Sequence, residues 1–540
     1  MRAGRAASPD RGSAERHLLL ALMAVGGVVA AVALGWSSAT HSIVLYGDAA
    51  THLQIARRVV DSLTPGLGQL GTSWLPLLHV LELPLIWNDH LWHSGLAGGI
   101  VSSLAGWASL FFAFRLAEAL SHDRWVAFMV GLLLLSNLNL LYLQTTPMNE
   151  SLFVCTALGS TWFLVRWARE DEERYLVLGG LLSLATALNR YEGWALAAAQ
   201  AAAVALVAWR RRGREAAEGM GVAYASLAGL APLLWFSWNW ALFGSPVDFL
   251  TNRFSSRSNT ELVFRYLGDA SYGAIHDWPM SFLHFALAAL HMLGPAVLAG
   301  AGAGLAATVY LVLRRRADGS LLPLLALAAP ALFLVYAIYD AVSVVFVPEL
   351  PPHLNLNIRY GLYALPLALG LCALAGRLPA GRAIVAAILG VHLALVAVGP
   401  PPMAYDEPRR SPAGCELELP GASSQCVSYS GAPAFLGEHY DGGRVLVSLR
   451  SVFLIHDSGL DMREFVHEGN RGLWEATLAD PAAHVRWVAM VGSPAVPSED
   501  LVFANLYDSP ALQRDFQLVF ERWGVRIYRL RGPDGPPGGG

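Results

Sequence analysis

Lysine is absent from the chain: all 37 of its basic residues are arginine. That uniformity reads as coding bias and not as mechanism. Charge of any sign is scarce, at 14% of 540 residues, while 55% are hydrophobic and mean hydropathy is +0.44, far from the averages of soluble domains. The arginines sit at the ends of apolar segments instead of forming one basic face, which excludes a nucleic-acid footprint. Neither a P-loop, a dinucleotide fingerprint nor a usable His-Glu-x-x-His occurs, so soluble-nucleotide and zinc-protease chemistry find no foothold. No repeat of solenoid period is present. Cysteine is limited to four: Cys155 and Cys372 lie in apolar runs, whereas Cys415 and Cys426 flank a Pro/Gly/Ser-rich stretch. The latter pair is a candidate disulfide if that stretch is extracytoplasmic.

What is present is a polytopic α-helical membrane protein. A bilayer core about 30 Å thick needs about 20 apolar residues per helix. Such runs occur near 18–36, 94–118, 125–143, 151–168, 175–189, 193–209, 221–243, 284–313, 321–343, 360–376 and 383–400, about eleven in all. A basic leader, 1–17, precedes the first; its run competes with a signal peptide but is long and lacks an A-x-A cleavage site, so a retained span is expected. The piece 74–92 is interrupted by Pro76, Glu82 and Pro84 and reads as interfacial or re-entrant within a first external loop, 37–93. Beyond the 18–400 membrane domain come a linker at 401–430, a small α/β domain at 431–530 and a tail at 531–540 that is disordered by composition. In the α/β domain, strands are expected at 444–449 and 485–491 and in the terminal pair "FQLVFERWGVRIYRL", with a helix around 461–479. Trp474, Trp487 and Trp523 could bind an acceptor or fill its core.

With eleven spans and the leader inside, Arg124, Arg166, Arg169, Arg174, the clusters at 210–214 and 314–316, Arg377 and Arg382 share one side. The opposite, extracytoplasmic side of a plasma (inner) membrane of the cell envelope then collects Asp48, Glu150, Arg190, Glu192 and Arg359. Carboxylates at segment ends are individually explained as caps or solvated loop residues, but these converge. After Asp48, apolar residues at helical spacing with Arg57, Arg58 and Asp61 opposite predict an amphipathic helix in the outer interface. Asp48 then stands just before its N-terminus, as a cap, a catalytic group or both.

This pattern suits glycosyl transfer from a lipid-phosphate sugar. Arginines such as Arg190 and Arg359 match the leaving phosphate, and a carboxylate takes the proton of an acceptor hydroxyl in a single, inverting displacement. Glu150, Glu192 and His52 are candidates for a second acidic, acceptor-binding or metal-associated role. A divalent metal could assist, yet Asp48, His52, His79, Glu82 and His93 form no recognisable ligand spacing, and His52 also fits simple packing. The competing class is a transporter or lipid-linked glycan flippase, which would place its charges at broken helices near the midplane, often in paired repeats.

The stretches "YGDAATHLQIARRVVDS", "TTPMNESLF", "LATALNRYEGW" and "NIRYGLYALP" resemble the GT-C superfamily of integral-membrane glycosyltransferases, in the branch of protein O-mannosyltransferases and bacterial aminoarabinose transferases. The resemblance covers roughly 18–400. It implies a GT-C-like fold, a polyprenyl-phosphate-linked monosaccharide as donor, a protein, lipid or glycan acceptor, and Asp48 as catalytic base. The family's later charged positions fall on Glu150, Arg190, Glu192 and Arg359. Protein mannosyltransferases carry an Asp-Glu pair where this chain has Asp48-Ala49, which argues against protein mannosylation in particular. The metal requirement varies across the superfamily and none is carried over.

Overall fold

The computed structural model describes residues 9–267, 272–316, 318–409, Cys415, 424–494 and 499–532. Residues 1–8 of the leader, most of the linker after Arg409 and residues 533–540 of the tail lie outside the described residues. Among the described residues, eight helices are long and apolar enough to cross a membrane: Glu15–Ala39, Leu96–Ser121, Glu150–Glu170, Glu192–Arg212, Pro295–Leu313, Leu321–Tyr339, Ile358–Ala375 and Gly381–Asp406. The pair Arg214–Ala228 and Leu230–Phe243, bent by 42°, would make a ninth.

By length and composition eight or nine helices thus stand where eleven runs were expected, and the differences have local causes. The 284–313 run breaks at Gly294, which adopts φ 79°, with Pro295 opening the next helix. The 125–143 run breaks at Ser136 and Asn137, whose side chain accepts from Leu140 N to start a new turn. The 175–189 run becomes a 17-residue helix, Glu173–Asn189. Helix Glu192–Arg212 begins in close contact with that neighbour: a β-carbon on Gly193 would lie 2.3 Å from the Thr186 carbonyl oxygen, so only glycine fits.

One long helix and two short ones shape the first loop and its surroundings. Helix α1 (Pro9–Ala39) leads to α2 (Gly47–Val60), and α3 (Leu77–Ile86) follows, too short to span. The expectation that Arg57 and Arg58 face solvent is overturned: both are buried, because the C-terminal domain covers that face of α2. The start of the presumed linker is likewise packed, with a turn of helix at Met403–Asp406 and Ala404 fully buried.

The C-terminal domain carries a five-stranded sheet in the order β2-β1-β3-β5-β4. Its strands are β1 (Val445–Leu446), β2 (Phe465–Val466), β3 (Trp487–Val491), β4 (Phe516–Arg522) and β5 (Val525–Leu530). The first three are parallel, and β5 runs antiparallel between β3 and β4. The helix expected around 461–479 is instead a 3-10 turn, strand β2 and a helix confined to Leu473–Ala479. Trp474 and Trp487 are buried in the domain's two cores.

Candidate functional site

Helix Glu150–Glu170 runs from an acidic first residue to Arg169, and helix Glu192–Arg212 from an acidic first residue to three arginines. Both place a carboxylate at the positive end of the helix dipole and arginine at the negative end. At about 1.5 Å per residue, each separates its ends by about 30 Å. One end of the bundle therefore carries arginine; the other carries the residues singled out above.

At that second end Arg359 is the hub. It follows Asn357, which holds a left-handed φ of 58°, in the short 3-10 turn Ile358–Ala364. Its guanidinium is buried and pairs with Asp48, with Glu150 at 3.3 Å and with Glu407 at 3.4 Å. The ring of Tyr46 lies 4.9 Å away and that of Tyr360 5.1 Å. Of the three carboxylates, Asp48 alone opens to the outside, with its side chain 39% exposed. It is not a cap: the helix begins at Gly47 after Tyr46, and no side chain caps it. Asp48 instead aims across at Arg359.

Arg190 and Glu192 form a second, forked pair, with Nε to Oε2 at 3.1 Å and Nη2 to Oε1 at 3.0 Å. The Arg190 guanidinium stacks 5.1 Å from Tyr360 and 4.8 Å from Tyr363, so Tyr360 has contacts with both arginines. Tyr363 in turn directs its hydroxyl to Glu150 at 3.4 Å. The structure thus brings Asp48, Glu150, Arg190, Glu192 and Arg359 into one neighbourhood.

His52 stands apart from the charged cluster, buried within a polar chain. Its Nδ1 lies 2.7 Å from His79 Nε2, and the Asn149 amide reaches its Nε2 at 3.2 Å. Burial first, then His79, Arg190 and Arg359, pushes the His52 imidazole well below its ordinary value. Burial and then Arg58 push His79 down to about 3. Burial thus favours the neutral form of both rings. Among the described residues, no group of three or more His, Cys, Asp or Glu side chains is arranged to hold a metal ion. The acids at this end converge on a guanidinium instead.

Glu407 was missed by sequence reasoning. It sits in "YDEPRR", whose composition reads as a linker, yet its oxygen accepts from Asn357 N at 2.7 Å as well as facing Arg359. Burial raises its pKa despite the arginine. The available signal was an acidic pair, Asp406 and Glu407, directly after the last apolar run and on the same side as Asp48. Cys415 and Cys426, farther along, are joined by a disulfide with a Cα separation of 5.3 Å.

The sequence matches no protein-family model and no curated protein. Among solved structures, the chain is similar to ArnT from Cupriavidus metallidurans bound to undecaprenyl phosphate, with a TM-score of 0.55 and 14% identity over 96% of this chain and 99% of that chain. The apo state of the same protein gives a TM-score of 0.47 and 13% identity over 89% of this chain and 92% of that one. The first of these likenesses shows the fold: it is GT-C-like, in an integral membrane protein.

Proposed function

We propose that this chain is a membrane glycosyltransferase that moves a monosaccharide from a polyprenyl-phosphate carrier to an acceptor hydroxyl on the extracytoplasmic side, with inversion. The observation that carries the reading is the pairing of a solvent-open Asp48 with a buried Arg359. It is supported by the fold shared with a protein whose structure holds undecaprenyl phosphate.

In this reading the acceptor oxygen attacks the sugar's anomeric carbon from the face opposite the phosphate. The bond from carbon to acceptor oxygen forms as the bond to the phosphate oxygen breaks. Asp48 takes the acceptor proton in that step and returns it to solvent through its exposed edge. Arg359 fixes the carboxylate in place, so that base and acceptor meet without reorganisation. The departing polyprenyl phosphate gains negative charge, which Arg359 and the half-buried Arg190 offset. Glu150, Glu192 and Glu407 hold the two arginines in position. His52 keeps Asn149, and with it the start of the Glu150 helix, in place.

The test is sugar transfer by the purified protein in lipid, with a panel of radiolabelled polyprenyl-phosphate sugars and a membrane extract as acceptor. Asp48→Asn is isosteric and should keep the fold while abolishing turnover. Label transferred by wild type alone supports the class and the base together. Near-normal transfer by a folded Asp48→Asn protein would remove Asp48 from the mechanism, and no transfer by wild type with any donor would favour a transporter.

A further inference from the structure

In open α/β sheets, ligands bind at the carboxyl ends of the parallel strands. Here those ends, after β1 and β2, are already occupied by the first loop of the membrane domain. Gln54 Nε2 of α2 donates to the Val452 carbonyl at 2.7 Å. After β2, Asn470 Nδ2 reaches the Ser62 and Thr64 hydroxyls at 3.2 and 3.0 Å and Gln69 Nε2 reaches the Gly469 carbonyl at 3.0 Å, while just ahead of β2 Met462 N donates to Asp61 at 3.2 Å. Beneath these bonds one apolar core is continuous across the boundary. Ala50, Leu53 and Ala56 of α2 pack in the same cluster as Val445, Phe453, Phe465 and Trp487.

Arg57 pins the seam. Its guanidinium donates to Asp61 at 2.9 Å, to the Ile86 carbonyl at 2.8 Å and to Asp89 at 2.6 Å, and lies 3.5 Å from Asp461 of the C-terminal domain. Only 4% of that side chain is exposed. One arginine thus joins α2, the end of α3 and the C-terminal domain through a rigid fork that lysine cannot reproduce.

We infer that the C-terminal domain is a clamp on α2 that sets the position of Asp48, with Arg57 as its positioning residue, and not a module that binds substrate. This deepens the glycosyltransferase reading and rests on it. The helix carries Asp48 in its first turn and Arg57 in its last. A helix of this length moves as a unit, so a displacement at Arg57 is delivered to Asp48. A shift of about 1 Å at a reacting group costs about 10²-fold in rate.

The experiment uses the full chain in lipid nanodiscs, comparing wild type with Arg57→Ala, Arg57→Lys, Gln54→Ala and Asp461→Asn. Arg514→Ala, on an exposed residue paired to its neighbour Asp515, is the control. Hydrogen exchange is followed in 47–60 and in the helices that carry Glu150 and Arg359. The expected result is faster exchange confined to 47–60 and kcat lower by about 10²-fold in Arg57→Ala, with donor KM unchanged. Arg57→Lys restores part of the rate, the two milder variants fall between, and the control matches wild type. Unchanged exchange in both Arg57→Ala and Gln54→Ala overturns the clamp. So does a raised acceptor KM with unchanged kcat, which would make the domain a binding module.

A third measurement needs no activity: the thiol reactivity of Asp48→Cys, with and without Arg57→Ala. If wild type transfers no sugar, the glycosyltransferase reading falls, and this reactivity decides the clamp alone. A changed rate supports it and an unchanged rate overturns it.

Discussion

Arg359 faces three carboxylates with one guanidinium, and its side chain is 4% exposed. Removing it would leave Asp48, Glu150 and Glu407 crowded together, two of them without solvent. Arg359→Ala is therefore expected to cost about 3–5 kcal/mol of stability, the range for breaking a buried ion pair from one side. A lower thermal midpoint in detergent would show it, and donor use should suffer more than acceptor use. Arg359→Lys should not restore the loss, since a single ammonium cannot address three partners in the geometry of a planar fork. Asp48, Glu150, Arg190, Glu192 and Arg359 were legible in the sequence because each stands at the end of an apolar run, where a charge is conspicuous. Glu407 was not, because proline and arginine around it mimic a linker. Its role depends on Asn357, 50 residues away in sequence, offering an amide to its carboxylate.

Elements show the same division between local and distant causes. The breaks at Gly294-Pro295 and at Asn137 are local, written in residues that end one helix and begin another, although hydropathy runs pass over them. The buried face of α2 is distant: its periodicity correctly predicts a helix, but the domain that covers Arg57 and Arg58 begins nearly 400 residues later in the chain. Within that domain Asp500 caps helix Leu501–Leu506 through Phe503 N at 2.9 Å and accepts from Val491 N at 3.1 Å and the Ser451 hydroxyl at 2.9 Å. Burial outweighs these bonds and raises its pKa to about 6, from an ordinary value of 3.8. A raised carboxyl favours the protonated fold, so its stabilising contribution is complete below the unfolded value and is lost as pH rises through 6. Asp500→Asn keeps an oxygen for the cap and removes the titration. Thermal unfolding between pH 4 and pH 7 should show a flatter decline for the variant than for wild type.

At the scale of the whole molecule, the two ends of the bundle differ in chemistry. At one, Arg169 and Arg211 reach the carbonyls of Ala119 and Ala168, Arg212 pairs with Asp171 at 2.7 Å and Arg382 with Asp123 at 2.6 Å. At the other lie Asp48, Arg359 and the C-terminal domain, whose approach bears the Cys415–Cys426 disulfide. Short-loop arginine is retained on the cytoplasmic side, and disulfides persist in oxidising compartments, so both features support the orientation proposed above, with Asp48 extracytoplasmic. Cysteine labelling tests it against a quiet background, since Cys155 and Cys372 are buried and the other two are bonded. A membrane-impermeant maleimide on intact cells should label Glu438→Cys, exposed on the C-terminal domain, and spare Arg214→Cys, exposed at the arginine end. Both should react once the membrane is permeabilised. The reverse pattern would put Asp48 in the cytoplasm, and the acceptor hydroxyl would then have to come from that side.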